Sequence, residues 1–404
     1  MPLVVQKYGG TSVADPERIR QVADHVARSH RTSDVVAVVS AMGKETDDLI
    51  RLAGEVSSVR PGREMDMLIT AGERKTTALL VMALQDIGVE AASYTGSQAG
   101  IMTDSVHTKA KITEIRSDRL QEALAQGKVP VVGGAQGMST DTRDVTFLGR
   151  GGSDTTAVAL AHALGADACE LYTDVSGVFT ADPRLVPSAR RINRISFEEM
   201  LEMTASGCPK PEMRSVEFAR TWKVPLHVRS SFTWEPGTWI REEDPTMEQP
   251  IISAVVSDSS EAKITVTGVA DRPGIAARLF RALADAHVNV DMIVQNVSVH
   301  DVTDISFTVP KADVEQSLSV ANALKEEIGA TEVLADASIA RVSLIGAGMK
   351  THPGVAARMF ETLAGEGVNI DMISTSPIRI SCVVRDLQVE HAVSVLHAAF
   401  ELER

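Results

Sequence analysis

The last third of the chain repeats itself. Pro273-Gly274-Ile275-Ala276-Ala277-Arg278-Leu279-Phe280 returns as Pro353-Gly354-Val355-Ala356-Ala357-Arg358-Met359-Phe360, and Val288-Asn289-Val290-Asp291-Met292-Ile293 returns as Val368-Asn369-Ile370-Asp371-Met372-Ile373. Over the 21 positions from Pro273 to Ile293, 13 are identical in the two copies. A duplicated turn, amphipathic helix and Asn-bearing loop must fold twice into one small unit, since each copy carries the same apolar face. Strand patterns at 264–268 and 341–345, ahead of each Pro-Gly turn, make that unit βαββαβ. Two copies are too few for a solenoid; modules of this size pair face to face as a binding unit.

Residues 3–230 have a different rhythm. Short β-branched runs at 4–7, 35–39, 129–132, 170–172 and 226–228 each end near Gly, Ser, Asp or Thr, with amphipathic stretches between them. Such alternation predicts a mainly parallel sheet covered by helices on both faces, with ligands bound beyond the carboxyl ends of the strands. Around 235–260 the chain turns polar and rich in Gly, Pro and Asp, which marks a boundary. The expected division is 1–235, a linker at 236–260, and the two repeat modules at 261–337 and 338–404.

Composition excludes several classes. Of 404 residues, 54 are acidic and 40 basic, a net charge of −14 that repels polyanions, so neither nucleic acid nor membrane is an expected partner. Three scattered cysteines without a CxxC pair, and ten histidines without an HExxH motif, predict neither a disulfide framework nor a metal site. The compartment expected is the cytoplasm, with no export signal and no spanning segment. The methionines between 65 and 82 fall at helical spacing and are expected in the core.

Four loops carry candidate chemistry. Lys7-Tyr8-Gly9-Gly10-Thr11-Ser12 follows a strand, so glycine N–H groups, hydroxyls and an ammonium converge where a phosphate would sit. Gly149-Arg150-Gly151-Gly152-Ser153-Asp154-Thr155 opens a helix; Arg150 suits a carboxylate, and Asp154 suits either an N-terminal turn or the orientation of Lys7 or a metal. The segment from Tyr172 to Arg184 is dense in Thr, Asp and Gly; Ser40 and Thr46 follow the second strand, and Glu73 lies inside a helical pattern, where by itself it reads as a solvated or salt-bridged face rather than a grip on an ammonium. Nothing in the sequence marks a protein nucleophile.

Taken in order, Lys7–Ser12, Ser40-Ala41-Met42-Gly43, Ala71-Gly72-Glu73-Arg74, Gly96-Ser97-Gln98-Ala99-Gly100, 148–155 and Thr180-Ala181-Asp182-Pro183-Arg184 resemble the successive signatures of aspartate kinases, and the repeat resembles that family's two ACT domains. The resemblance implies an α/β fold, an amino-acid-kinase three-layer sandwich followed by two ferredoxin-like βαββαβ domains. It implies transfer of the γ-phosphate of ATP, with Mg²⁺, to the β-carboxylate of L-aspartate, the first step towards lysine, threonine and methionine. By similarity, Lys7 and Asp154 are catalytic, and Ser40, Thr46, Glu73, Arg150, Gly151, Gly152 and Ser153 hold aspartate. Lys7, Gly9, Gly10, Ser12, Thr173, Asp174, Phe179, Asp182, Arg184 and Lys210 surround the nucleotide. Lysine and/or threonine would bind Asp271, Gly274, Ile275, Ala276, Asn289, Val290, Asp291, Gln295, Thr303 and Asp304, with Gly354, Val355, Asn369 and Ile370 in the second copy. Pairing through ACT domains implies a homo-oligomer, or an α₂β₂ assembly if a separate chain starts near Met247.

One segment departs from the pattern. Where the family carries Gly-x-Lys-(Val/Ile)-Leu, this chain reads Gly207-Cys208-Pro209-Lys210-Pro211, with the lysine displaced by one residue between two prolines. Lys210 is still expected to reach the phosphates. Smaller departures are Ala135, where an aromatic is common, and Lys75-Thr76-Thr77. Alternative readings are a divergent relative acting on another acidic substrate and a non-catalytic amino-acid sensor; Lys7, Arg150 and Asp154 together favour catalysis.

Overall fold

The computed structural model describes residues 1–242, 251–295 and 302–404. Met247 lies outside them. Two compact units divide the chain: Met1–Val178, Arg191–Thr204 and Pro209–Pro245 form the first, and Phe179–Arg190, Ala205–Cys208 and Thr246–Arg404 the second.

The first unit is built on an eight-stranded sheet. In spatial order its strands are Arg194–Ser196, Thr238–Arg241, Leu226–Ser230, Ala168–Thr173, Leu3–Tyr8, Asp34–Val39, Val129–Gly133 and Ala91–Tyr94. From Leu226–Ser230 to Ala91–Tyr94 every pairing is parallel. The five β-branched runs of the sequence are therefore five consecutive strands. Val35 to Val39 are wholly buried, as strands covered on both faces require. Parallel strands finish at one edge, so Tyr8, Val39, Gly133, Thr173 and Ser230 open their loops there.

Helix Pro16–His30 starts where Asp15 accepts from the Arg18 N–H at 2.9 Å, with proline at its first position, and it buries Ile19, Val22, Ala23 and Val26. Helix Gly152–Leu164 is buried over most of its length, which its small Ser, Thr, Ala and Val side chains allow. A second sheet of Ile112–Ile115, Ile101–Thr103, Gln136–Ser139 and Val145–Phe147 uses strands of only three or four residues, too short to leave a period-two pattern.

The methionine expectation holds in part for Met65, which packs partly buried against Ile69, Ala135 and Phe147, and fails for the other two. Met67 and Met82 are exposed, because helical spacing says that residues share a face but not which way it points; Leu80 and Leu84 fill the core instead.

In the second unit, each repeat makes a four-stranded antiparallel sheet backed by two helices. The first copy orders its strands Ile293–Gln295, Val302–Pro310, Glu261–Ala270, Glu332–Asp336, with helices Ile275–Asp285 and Val314–Leu324. The second orders Met372–Ser376, Arg379–Arg385, Ile339–Ile345 and Ala254–Asp258, with helices Val355–Gly365 and Val389–Ala399. Its outer strand thus comes from upstream of the first copy. Repeated positions are buried alike: Leu279 with Met359, Leu283 with Leu363, Val288 with Val368, Met292 with Met372.

Stretch 236–260 is not a structureless linker where it is described. Thr238–Arg241 pairs antiparallel with Leu226–Ser230, and Ala254–Asp258 pairs with Ile339–Ile345. Their turn-rich surroundings masked two strands of only four and five residues.

Candidate active site

At the carboxyl edge of the large sheet, the Lys7 ammonium meets the Asp154 carboxylate at 2.5 Å, and both side chains are almost fully buried. Lys7 is held out by its strand and Asp154 by the first turn of helix Gly152–Leu164. Burial alone would raise the Asp154 carboxyl; the charges of Lys7 and Lys210, the Lys7 hydrogen bond and the Glu212 N–H at 3.3 Å bring it below the usual carboxylate range. The Asp154 carboxyl is therefore held in its carboxylate form beside Lys7, and both side chains are shielded from water.

The loops around it come close. Gly10 lies so near its neighbour that an added Cβ would stand 2.9 Å from the Gly43 carbonyl, so only glycine lets these two turns touch. The Gly9 N–H donates to the Tyr172 carbonyl at 3.3 Å, and Ser40 Oγ bonds Ser153 Oγ at 3.0 Å, joining three strand ends. Ser12 is buried with a hydroxyl that has no protein partner. Beneath this edge Tyr8 stacks on Tyr172, and Gln6, Tyr172 and Arg229 all donate to Glu170.

Glu73 is buried in the first turn of helix Ala71–Asp86, and its Oε2 has no hydrogen-bond partner. Burial pushes its carboxyl up to about 7, against the opposing pull of the Glu73 and Ala41 N–H groups. Ala41 lies in the loop that touches Gly10, so this orphaned oxygen belongs to the same edge as Lys7. A buried carboxyl with an open acceptor is what a ligand ammonium would satisfy.

Comparison with known proteins settles the family. Residues 2–230 match the model of the amino acid kinase family, and residues 263–326 and 342–400 match the ACT domain. Aspartokinase of Mycolicibacterium smegmatis is 55% identical over 407 residues, covering 100% of this chain and 97% of that protein. The chain belongs to the aspartokinase family. Among solved structures, Escherichia coli aspartokinase III in complex with aspartate and ADP, in its R-state, superposes with a TM-score of 0.83 at 26% identity, covering 98% of this chain and 99% of that one. The same enzyme with lysine and aspartate, in its T-state, gives 0.76 at 25% identity over 98% and 99%.

Within this aspartokinase-family chain the site residues named from sequence fall into groups. Lys7, Gly9, Gly10, Ser12, Ser40, Gly151, Gly152, Ser153 and Asp154 converge at the carboxyl edge. Thr46 is half-buried in the first turn of helix Glu45–Val56. Arg150 is exposed and bonds Asp47 at 2.6 Å, so its guanidinium has a carboxylate of the protein's own. Thr173 ends its strand and donates to Asp174 at 3.0 Å. Phe179, Asp182 and Arg184 belong to the second unit, where Arg184 forks onto Asp182. Lys210 is exposed, yet its charge acts on both Asp154 and Glu212. Ala135 takes a left-handed conformation, its φ 57°, and lies buried beside Gly152. Lys75 pairs with Glu45 at 2.6 Å, while the Thr76 and Thr77 hydroxyls donate to their own helix.

In the first ACT domain, Asp271, Gly274, Ile275, Ala276, Gln295 and Thr303 line a cavity of about 330 Å³. Asp304 stands apart from that lining and accepts the Gly268 N–H at 2.8 Å. Asn289, Val290 and Asp291 do not line it either: Asp291 turns to the buried Arg341, which also reaches Asp258, Glu261 and the Ala205 carbonyl. In the second domain Gly354 and Val355 open helix Val355–Gly365, and Asn369 bonds Asp371.

Sequence reasoning missed Glu212 and Asp47. No local pattern marks either, since their contacts depend on how two loops close.

Proposed function

We propose that this chain transfers the γ-phosphoryl group of ATP to the β-carboxylate of L-aspartate, giving ADP and 4-phospho-L-aspartate. What carries the reading is one juxtaposition: a buried Lys7–Asp154 couple between two glycine-rich turns, with the unsatisfied Glu73 carboxyl on the same edge. Aspartate brings an ammonium for Glu73 and carboxylates for Ser40, Thr46, Arg150 and the amides of Gly151 to Ser153. Its β-carboxylate oxygen attacks the γ-phosphorus, the bond to the ADP oxygen breaks, and Lys7 neutralises charge spread over the transferred group. Asp154, paired with Lys7 at 2.5 Å, positions its ammonium. No protein nucleophile is needed, in keeping with its absence from the motifs.

ATP is proposed to lie along Gly9, Gly10, Ser12, Thr173, Asp174 and Lys210. Among the described residues no cluster of three His, Cys, Asp or Glu side chains is placed to hold a metal. Mg²⁺, proposed to arrive with the nucleotide, would supply charge neutralisation.

Regulation is proposed to run through the ACT cavity. Its Asp271 and Thr303, with the amides after Pro273, suit the ammonium and carboxylate of a free amino acid, lysine and/or threonine. The second unit also includes Ala205–Cys208, which ends two residues before Lys210. A homo-oligomer through the ACT domains, in the cytoplasm, completes the proposal; no helix among the described residues is long and apolar enough to cross a membrane.

Coupled ADP release with L-aspartate, L-glutamate, N-acetylglutamate and UMP tests the acceptor. Turnover with L-aspartate alone is expected. Turnover with another acid only, or with none, would replace this reading by the divergent relative or the sensor.

A further inference from the structure

The first turn of helix Glu45–Val56 reaches in two directions. Glu45 meets the Lys75 ammonium at 2.6 Å, and Lys75 lies two residues beyond Glu73 in helix Ala71–Asp86. A Cβ on Gly72 would stand 2.7 Å from Ala41 Cβ and 3.6 Å from the Glu45 carboxylate carbon, so this turn packs directly on the start of the helix that carries Glu73. Asp47 meets the Arg150 guanidinium at 2.6 Å, and Arg150 lies one residue before Gly151, the cap of helix Gly152–Leu164. Side chains two apart on a helix diverge by about 200°, so Glu45 and Asp47 grip different neighbours and Thr46 stands between them. One helical turn therefore joins the element of the unsatisfied Glu73 carboxyl to the loop of Arg150.

Arg150 has a fixed root and a movable head. Gly149 has φ 89° and Gly151 φ 72°; the Gly152 N–H donates to the Gly149 carbonyl at 3.1 Å and the Asp154 N–H to the Gly151 carbonyl at 3.0 Å, which sets the backbone on both sides. The Arg150 side chain is 81% exposed and that of Asp47 54%. Their bond is a single one, Nη2 to Oδ1, with the rest of the guanidinium fork unused by it. A solvated, one-point ion pair shifts an equilibrium by no more than about fivefold, so an incoming carboxylate can replace it. The helix that carries Asp47 buries none of its residues, so little packing opposes a shift of its first turn.

We propose that Asp47 is a resident carboxylate that holds Arg150 in the substrate's stead and gives it up to the carboxylate of bound aspartate. In a chain of net charge −14 an unguarded guanidinium draws any small anion. With Asp47 in place, an anion that brings only a carboxylate exchanges one such contact for another and gains little. Aspartate also brings an ammonium to the orphaned Glu73 oxygen, and that second contact drives the exchange. The proposal rests on the kinase reading and adds to it a control on acceptor affinity at the same site.

The test is a double-substitution cycle on the full chain, read as KM and kcat for aspartate at saturating ATP. Asp47→Asn keeps the shape and an acceptor for the guanidinium but removes the competing charge, so KM should fall about three- to fivefold with kcat changed less than about twofold. The gap should close as potassium chloride screens the pair. Asp47→Glu, which keeps the charge, should return KM to that of the parent. Arg150→Gln should raise KM at least about tenfold, and adding Asp47→Asn to it should leave that value within about 1.5-fold, since nothing remains to guard. A merely structural Asp47 moves KM equally in both backgrounds. An unchanged or higher KM in Asp47→Asn, or the same fall in the Arg150→Gln background, would overturn the proposal. An unsubstituted chain that makes no acyl phosphate from aspartate would instead overturn the kinase reading.

Discussion

Glu73, proposed to hold the aspartate ammonium, is set by its proton. Burial holds its carboxyl at about 7, so the folded chain binds that proton more tightly than the unfolded one does. Stability from this group is therefore greatest below about pH 4.5 and falls as pH rises towards 7, by roughly 3 kcal/mol. An aspartate ammonium at the open oxygen favours the ionised form, so aspartate binding near pH 6.5 should expel a proton. Titration calorimetry in two buffers of different ionisation enthalpy is expected to show that release, and Glu73→Gln to abolish it while weakening aspartate at least about tenfold. Equal heats in both buffers would separate Glu73 from the ammonium. Glu170 is the opposite case. Burial pushes its carboxyl up, but the His227 ring 3.6 Å away, the Gln6 hydrogen bond and the charge of Arg229 pull it to about 2. Its contribution is present above about pH 4.5 and lost as pH falls through 2. Glu170→Gln should cost about 3 kcal/mol in urea unfolding at pH 7 and almost nothing near pH 2.

Helix Gly152–Leu164 shows how an element end carries function. Gly151 has φ 72° and Gly165, at the other end, φ 64°, so alanine strains the backbone at both. Only at Gly151 would the new methyl also strike Glu212, whereas nothing stands within 4 Å of a Cβ at Gly165. Gly165→Ala should cost about 1 kcal/mol and leave turnover alone, while Gly151→Ala should cost about 2–3 kcal/mol and lower kcat/KM at least about tenfold. Thermal melting with initial rates separates the two; equal effects would contradict the contact. At this scale much was legible. Five strands announced themselves because strands buried on both faces must be runs of Val, Ile and Leu, and the repeat announced two like cores. Thr238–Arg241 and Ala254–Asp258 did not, because strands of four and five residues set among turn residues are too short to leave a clear period. Lys7 and the glycines were visible as types suited to phosphate. The burial of Glu73, the pairing of Arg150 with Asp47 and the place of Glu212 were not, since each depends on loop closure that no residue spacing encodes.

For the whole molecule, a charge of −14 must be offset where anions bind, a task the proposed function gives to Lys7 and Lys210. Regulation is the other whole-chain property. If the cavity of the first ACT domain takes lysine, Thr303→Ala should raise the lysine concentration for half-inhibition at least about tenfold. An unchanged inhibition curve would place the effector elsewhere. The central claim is that an acyl phosphate forms on aspartate, and hydroxylamine trapping reads it most directly. With ATP, Mg²⁺ and L-aspartate, the full chain is expected to yield aspartyl hydroxamate in step with ADP, and Lys7→Ala to yield only a trace. ADP release without hydroxamate, or hydroxamate from L-glutamate but not L-aspartate, would contradict the account.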